Sequence, residues 1–134
     1  MPGDASFLDT NVVLYGLSTD LWRKERVADR LSDGGVLSTQ VLAESANVMR
    51  RKFGRSVAEI EAFHDILLDT CRVRVIESAT IRRALGVAER YGFSIYDSLI
   101  VATAMEAGCR TLYSEDMQHG QVIDHRLTIV NPFI

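Results

Sequence analysis

The sequence of 134 residues lacks any apolar run of the roughly 18 to 20 uncharged residues that a membrane-spanning helix needs. Its first residues have neither a basic lead nor an apolar signal segment. Cysteine occurs only as Cys71 and Cys109, without a CxxC spacing or a neighbouring histidine, which argues against a disulfide framework and against a thiolate zinc site. We therefore expect a cytoplasmic protein with two free thiols and no membrane association.

Lysine is also scarce, because it occurs only at positions 24 and 52 and the other basic residues are arginines. The formal net charge of −3 argues against a nucleic-acid partner, since a phosphate backbone favours clusters of Lys and Arg. Setting aside the four candidate metal-binding acids named below leaves the rest of the chain slightly basic. Its cations gather in segments 23–30 and 50–55, and Arg binds phosphate through a planar pair of donors. Each cluster either contacts an RNA substrate or forms ion pairs on a solvated helix face.

Hydrophobic residues make up 47% of the sequence, which is enough for one buried core, and neither an internal repeat nor a Pro/Gly-rich linker divides it. We expect a single domain over residues 1–134. Hydrophobic periodicity predicts strands at 6–8, 36–37, 73–76, 111–113 and 127–130. It predicts helices at 12–16, 21–31, 40–53, 57–70, 80–91 and 95–107. This alternation indicates an α/β fold, a three-layer α/β/α sandwich with a mainly parallel central sheet.

Two acids directly follow predicted strands, and parallel sheets carry their active sites at the carboxyl ends of strands. Asp9 follows Phe7-Leu8, and Asp116 comes shortly after Leu112-Tyr113. Each also has a purely structural interpretation. Asp9 is well placed to cap the following helix, and Asp116 is an ordinary acid for a turn.

Two further acids lie on predicted helices. Glu44 shares a helix face with Val41 and Val48, where an uncompensated carboxylate is costly, so a functional role is favoured. Asp97 heads the apolar stripe of the most hydrophobic helix. Ser94 and Asp97 also have the spacing of a capping box, which is the structural alternative.

The four acids together predict a metal site. Like charges placed so close together cannot all stay ionised without a compensating cation. A site made of carboxylates without Cys or a cluster of His suits a hard cation such as Mg²⁺ or Mn²⁺ and disfavours zinc.

Four segments carry a family resemblance that runs across nearly the whole sequence. They are FLDTNVVLY, STQVLAES, YDSLIVATAMEAGCRTLYSEDMQHG and the closing NPF. Their order and spacing resemble the PIN-domain ribonucleases, especially the VapC-type toxins of type II toxin–antitoxin systems. In that family one acid lies in an LDTN or LDSS element and a second is a helical Glu. A third acid opens the helix before the penultimate strand, and a fourth lies in a (T/S)ED loop.

The resemblance assigns roles to residues of this sequence. The matching catalytic and metal-binding acids are Asp9, Glu44, Asp97 and Asp116. The matching supporting polar residues are Thr10, Asn11 and Ser114. The resemblance implies a metal-dependent endoribonuclease with one or two Mg²⁺ or Mn²⁺ ions. It also implies a homodimer and inhibition by a small cognate antitoxin.

Three other functions remain as alternatives. A haloacid-dehalogenase-like phosphatase also begins with a strand-end Asp, but it needs a second Asp where this chain has Asn11. A response-regulator receiver needs an adjacent acidic pair and a late Lys, and neither fits. A catalytically silent PIN-like module that only binds a protein partner is disfavoured by the complete set of acids.

Three more side chains receive structural interpretations. His119 lies close enough to Asp116 to invite a general-acid role, but a loop histidine is more commonly just solvated. Trp22 and Phe53 are able to stack on RNA bases, although packing against a helix or a partner is the more common use of such residues.

Overall fold

A computed structural model describes residues 5–134 of the chain. In this part of the chain the strands are β1 Ser6–Leu8, β2 Gly35–Ser38, β3 Arg72–Arg74, β4 Thr111–Tyr113, β5 Val122–Ile123 and β6 Leu127–Val130. The α-helices are α1 Thr10–Leu14, α2 Leu21–Ser32, α3 Thr39–Arg51, α4 Val57–Thr70, α5 Ser78–Tyr91 and α6 Ile95–Glu106. A 3₁₀ turn over Tyr15–Leu17 links α1 to the loop before α2. None of the helices between residues 5 and 134 is long and apolar enough to cross a membrane.

The strands form one sheet in the order β3-β2-β1-β4-β6-β5. Every neighbouring pair is parallel except β5 and β6, which form a short antiparallel edge. This arrangement confirms the predicted three-layer α/β/α sandwich with a mainly parallel sheet. The carboxyl ends of β1, β2 and β4 consequently lie side by side at one edge of the sheet.

The central strands are apolar because helices cover both faces of a parallel sheet. Side chains from neighbouring strands that are less than 2% exposed are Phe7, Leu8, Val36, Leu37 and Leu112. Helix α6 is apolar on nearly all sides, since its residues 98–104 are all buried and it packs against α5 as well as against β2 and β4. The most hydrophobic helix of the sequence is therefore the one that lies innermost.

Local capping explains where several helices begin. Ser38, Ser56 and Ser94 each accept a hydrogen bond from a backbone N–H in the first turn of the helix that follows. Helix α1 begins at Thr10, two residues earlier than predicted, because Asp9 caps it. Helix α5 begins at Ser78 because the side chain and backbone of Glu77 form a capping box with Thr80.

Two strands differ from the sequence-based expectation. The strand predicted at 73–76 lies at Arg72–Arg74, because Val75 is already 64% exposed and the backbone N–H of Ile76 donates to Thr39 Oγ1. Strand β5 has no counterpart among the predicted strands, since two residues are too few to show a hydrophobic period.

Candidate active site

The pairing of β1 with β4 brings together two polar residues that follow these strands. The backbone N–H of Asp9 donates to the carbonyl of Tyr113 at 2.9 Å, which extends the parallel ladder by one residue. Ser114 is fully buried, and its hydroxyl donates to Asp9 Oδ2 at 2.9 Å. The Ser114 hydroxyl also accepts from the backbone N–H of Met117, so it joins Asp9 to the loop that carries Asp116.

Asp9 is both a helix cap and a wall of the candidate site. Its Oδ1 accepts from the backbone N–H of Thr10 at 2.7 Å, while Oδ2 is held by Ser114. The side chain is only 7% exposed. The capping and functional interpretations of Asp9 are therefore compatible, because the carboxylate that caps α1 also lines the candidate pocket.

Glu44 lies near Asp9 through Thr10. The Thr10 hydroxyl donates to Glu44 Oε1 at 2.8 Å, so one threonine supports acids from two different elements. Glu44 shares its face with Val41, as predicted, but Glu44 and Val48 are only partly buried. This face of α3 borders a pocket at Glu44, so apolar neighbours enclose the Glu44 side chain less than the helical spacing predicts.

The remaining two acids approach the same place from the other half of the chain. Asp97 lies in the first turn of α6 and is partly buried, and its backbone N–H donates to the Ser94 hydroxyl at 3.1 Å. This bond is the capping interaction that was the structural alternative for Asp97. Asp116 is exposed, and its Oδ2 accepts a hydrogen bond from the side-chain amide of Asn11.

All four acids line one pocket of about 150 Å³. Thr10 and Asn11 line it as well, so the supporting residues surround the acids, with Ser114 behind Asp9. Two other residues on the pocket wall, Gln40 and Tyr96, are absent from the sequence-based prediction. Gln40 Nε2 donates to the Tyr96 carbonyl at 3.1 Å and so joins the start of α3 to the start of α6. A lone polar residue at a helix start gives no sequence signal for this position.

The electrostatics of the pocket disfavour a full set of ionised carboxylates. Burial raises the pKa of Asp9 from its ordinary value of 3.8 to about 6. Hydrogen bonds from Ser114 and Thr10 oppose this shift, whereas the negative charges of Asp97 and Asp116 add to it. The pKa of Asp97 is raised as well, first by burial and then by the charge of Asp116. A positive charge placed between the acids would therefore stabilise their ionised forms.

The pocket fits a hydrated hard cation in its donor chemistry. Between residues 5 and 134 no three Asp, Glu, His or Cys side chains are already grouped closely enough to hold a metal ion by themselves. The donors around the pocket are nonetheless oxygens, which Mg²⁺ and Mn²⁺ prefer, and Mg²⁺ usually keeps several waters. Gln40 Oε1 is buried without a hydrogen-bond partner in the described residues, and such water would supply one.

Two of the three side chains with structural interpretations, His119 and Trp22, contact other residues of the fold, whereas Phe53 is exposed. His119 Nδ1 accepts from the backbone N–H of Asn131, which ties its loop to the end of the chain and gives it a structural role. Trp22 packs near Phe133, with ring centroids 6.2 Å apart. Phe53 is 50% exposed and lines a second, larger pocket beside the acids.

Comparisons with known proteins agree with this geometry. A family model of the PIN domain matches residues 6–123. The search of curated proteins found no match. A toxin–antitoxin complex from Klebsiella pneumoniae is similar in structure, with a TM-score of 0.72, 19% identity, and coverage of 96% of this chain and 98% of that one.

Two further solved structures share the fold. VapC20 of Mycobacterium tuberculosis, described as a toxin that cleaves the sarcin–ricin loop, has a TM-score of 0.67 and 19% identity, with 83% of this chain and 89% of that one covered. VapBC2 from Rickettsia felis, bound to a DNA fragment from its promoter, has a TM-score of 0.66 and 18% identity, with 93% and 96% covered. Because the family match spans most of the sequence and the fold agrees, this chain belongs to the PIN-domain family.

Proposed function

We propose that this chain is an endoribonuclease that depends on Mg²⁺ or Mn²⁺ and acts as the toxin of a toxin–antitoxin pair. The observation that carries the proposal is the meeting of four carboxylates around one pocket at the carboxyl end of a PIN-type sheet. The raised pKa of Asp9 supports a site that is completed by a cation. We propose that residues 1–134 act as a single PIN domain in the cytoplasm.

The proposed reaction is hydrolysis, in which water adds across one P–O bond of the RNA backbone. A divalent cation, when bound, would supply the positive charge that polarises the phosphodiester and lowers the pKa of the attacking water. Asp9, Glu44, Asp97 and Asp116 would hold that cation.

The surrounding polar residues fix the acids in place. Ser114 and the Thr10 backbone orient the two oxygens of Asp9, and the Thr10 hydroxyl fixes Glu44. Asn11 donates to Asp116 and restricts the one acid that is exposed. These contacts set the carboxylates before any ligand arrives, which reduces the reorganisation needed on binding.

The proposed partners follow from the related structures and from the surface. The structural relative from Klebsiella pneumoniae is a toxin–antitoxin complex, which supports a cognate antitoxin as the inhibitor. A homodimer is supported by large apolar side chains that α5 and α6 leave exposed. These side chains are Ile81, Leu85, Ile95 and Tyr96.

The proposal is tested by comparing Asp97→Asn with the wild type and with Asp69→Asn, which removes the same charge from an exposed position on α4. We expect the wild type and Asp69→Asn to degrade RNA in Mn²⁺ and to stop in EDTA, whereas Asp97→Asn keeps its fold but loses cleavage. RNA left intact by the wild type in Mn²⁺ would favour a protein-binding module. Release of phosphate from a small phosphoester would favour a phosphatase.

A further inference from the structure

The acid pocket opens beside a larger groove that the proposed reaction leaves without a role. This groove has a volume of about 850 Å³, within the roughly 300–1,000 Å³ range of ligand clefts. It lies between the α1 and 3₁₀ segment on one side and the end of α3 on the other. Asn11, Val48 and Asp116 line both cavities, so the groove lies directly beside the acid pocket and shares a wall with it.

We propose that single-stranded RNA runs from the acid pocket into this groove, where Lys52 and Arg55 bind backbone phosphate and Phe53 stacks on a base. The inference rests on the proposed nuclease function. It names the residues that bind the substrate strand next to the cleaved bond. It also distinguishes between the two basic clusters of the sequence, because only segment 50–55 lies on the groove.

The cations on the groove are free to bind phosphate at little cost. Lys52 makes no ion pair within residues 5–134. Arg55 pairs with Glu59 at 3.2 Å, but both side chains are about half exposed and lie four positions apart, and such surface pairs stabilise a fold only weakly. If Arg55 leaves Glu59 to pair with an RNA phosphate, the fold therefore loses little stability.

Phe53 is positioned to stack rather than to support the core. Its side chain is 50% exposed at the end of α3, where it faces the groove together with the more buried Leu14 and Leu17. Base stacking on an exposed aromatic ring is the sequence-tolerant way in which proteins bind single strands.

A hydrogen-bonded turn positions the backbone of these three residues. Gly54 has a positive φ of 60°, and the backbone N–H of Arg55 donates to the carbonyl of Met49 at 3.0 Å. This hydrogen bond folds the chain back over the last turn of α3, as αL caps do. Lys52, Phe53 and Arg55 are therefore presented at one mouth of the groove without a long mobile loop.

The other basic cluster is used inside the fold. Arg23 pairs with Asp20 at 3.4 Å and with Glu115 at 3.3 Å, and its guanidinium lies over the ring of Tyr15. Arg26 lies over the ring of Trp22. Glu115 and Asp116 also line the groove, but Glu115 pairs with Arg23 and Asp116 accepts from Asn11, so among the described residues neither acid forms an ion pair with Lys52 or Arg55.

A peptide from a protein partner is the competing occupant, because the groove also has apolar walls. RNA is favoured by the wall that the groove shares with the acid pocket and by the combination of two cations with an exposed aromatic ring. A peptide that binds mainly by apolar contact needs neither feature.

The test measures binding apart from cleavage. Each variant is made in the Asp97→Asn background, and polarisation of a fluorescein-labelled 12-nucleotide single-stranded RNA is followed at several salt concentrations. The variants are the Lys52→Gln/Arg55→Gln pair, Phe53→Ala, and the matched control Arg50→Gln. Arg50 is exposed on α3 but lies away from the groove.

We expect the double variant to bind RNA more weakly and to lower the salt slope of log Kd by roughly 0.7 for each phosphate that is no longer bound. Phe53→Ala should weaken binding about tenfold, because one base can no longer stack, with an unchanged salt slope. Arg50→Gln should leave the affinity nearly unchanged. Thermal unfolding checks that every variant is folded, and Phe53→Ala provides an independent result if the double variant is not.

Two results would overturn the inference while leaving the nuclease proposal intact. In the first, the wild type cleaves RNA, but in the Asp97→Asn background the double variant changes RNA affinity no more than Arg50→Gln does. The other is unchanged RNA binding together with abolished binding of the cognate antitoxin, which would make the groove a protein-docking surface. If the wild type neither binds nor cleaves RNA, the proposed function itself fails.

Discussion

Replacing Asp9 by Asn should stabilise the metal-free protein while removing its activity. The pKa of Asp9 is raised by burial from 3.8 to about 6, so the folded state holds this proton more tightly than the unfolded state does. The stability contributed by the protonated form is fully present below about pH 3.8 and is lost as the pH rises through about 6. At pH 7.5 without metal, the ionised Asp9 therefore destabilises the fold.

The size of the effect follows from the shift and from the hydrogen bonds. Raising the pKa from 3.8 to about 6 corresponds to about 3 kcal/mol of destabilisation of the ionised form, which Asn would relieve because it carries no charge. Asn keeps one acceptor for the Thr10 N–H, and its amide nitrogen donates to Ser114 Oγ, so the Ser114 hydroxyl loses the acceptor for its own proton. Leaving this buried donor without a partner costs about 1 kcal/mol, so we expect a net gain of about 1 to 2 kcal/mol. For a domain of this size the melting temperature should rise by roughly 4 to 8 °C.

The assay is thermal unfolding of the wild type, Asp9→Asn and the exposed control Asp69→Asn in EDTA from pH 4 to 8. The advantage of Asp9→Asn should disappear near pH 4, where the wild-type carboxyl is protonated. Adding Mg²⁺ should raise the melting temperature of the wild type and leave that of Asp9→Asn nearly unchanged. An Asp9→Asn protein that is less stable than the wild type at pH 7.5 in EDTA, or a difference independent of pH, would refute the reasoning.

Two further substitutions separate support of the site from support of the fold. Ser114→Ala removes the donor to Asp9 Oδ2 and the acceptor of the Met117 N–H. We expect this variant to need about tenfold more metal for half-maximal cleavage. An unchanged metal titration would contradict this role. Ser56→Ala removes the capping box of α4 and should lower the free energy of unfolding by about 1 kcal/mol, measured by urea titration, at an unchanged cleavage rate. A change in cleavage by Ser56→Ala at a temperature where the protein is folded would show that α4 affects the site.

Much of the fold could be predicted because local signals agree with tertiary packing. The caps at Ser38 and Ser56 and the apolar runs of β1 and β4 fix the positions of most elements. Strand β3 ends earlier than predicted. Val75 is apolar, which favours a strand, but it is exposed, and the local sequence does not show where a short edge strand stops pairing with its neighbour. Strand β5 depends on pairing with β6 instead of on its own two residues.

The sequence predicted four site acids, which the fold brings to one pocket, but it did not show their relative burial. Helical spacing pointed to Glu44 as the acid with the most apolar surroundings, whereas Asp9 is the most enclosed because Ser114 and the ladder to Tyr113 cover it. That enclosure comes from residues more than 100 positions away. The pairing of Arg23 with Glu115 is equally non-local, so the sequence could not show which basic cluster is free.

The hydrogen bond between Asp9 and Ser114 joins residues 105 positions apart, and so does the bond between Asn11 and Asp116. The pocket consequently does not exist until β4, near the end of the sequence, has paired with β1 at its beginning. A ribosome-bound chain that has yet to expose β4 carries Asp9 and Glu44 but no assembled site. For the proposed nuclease this means that the active site forms only after most of the sequence has been synthesised.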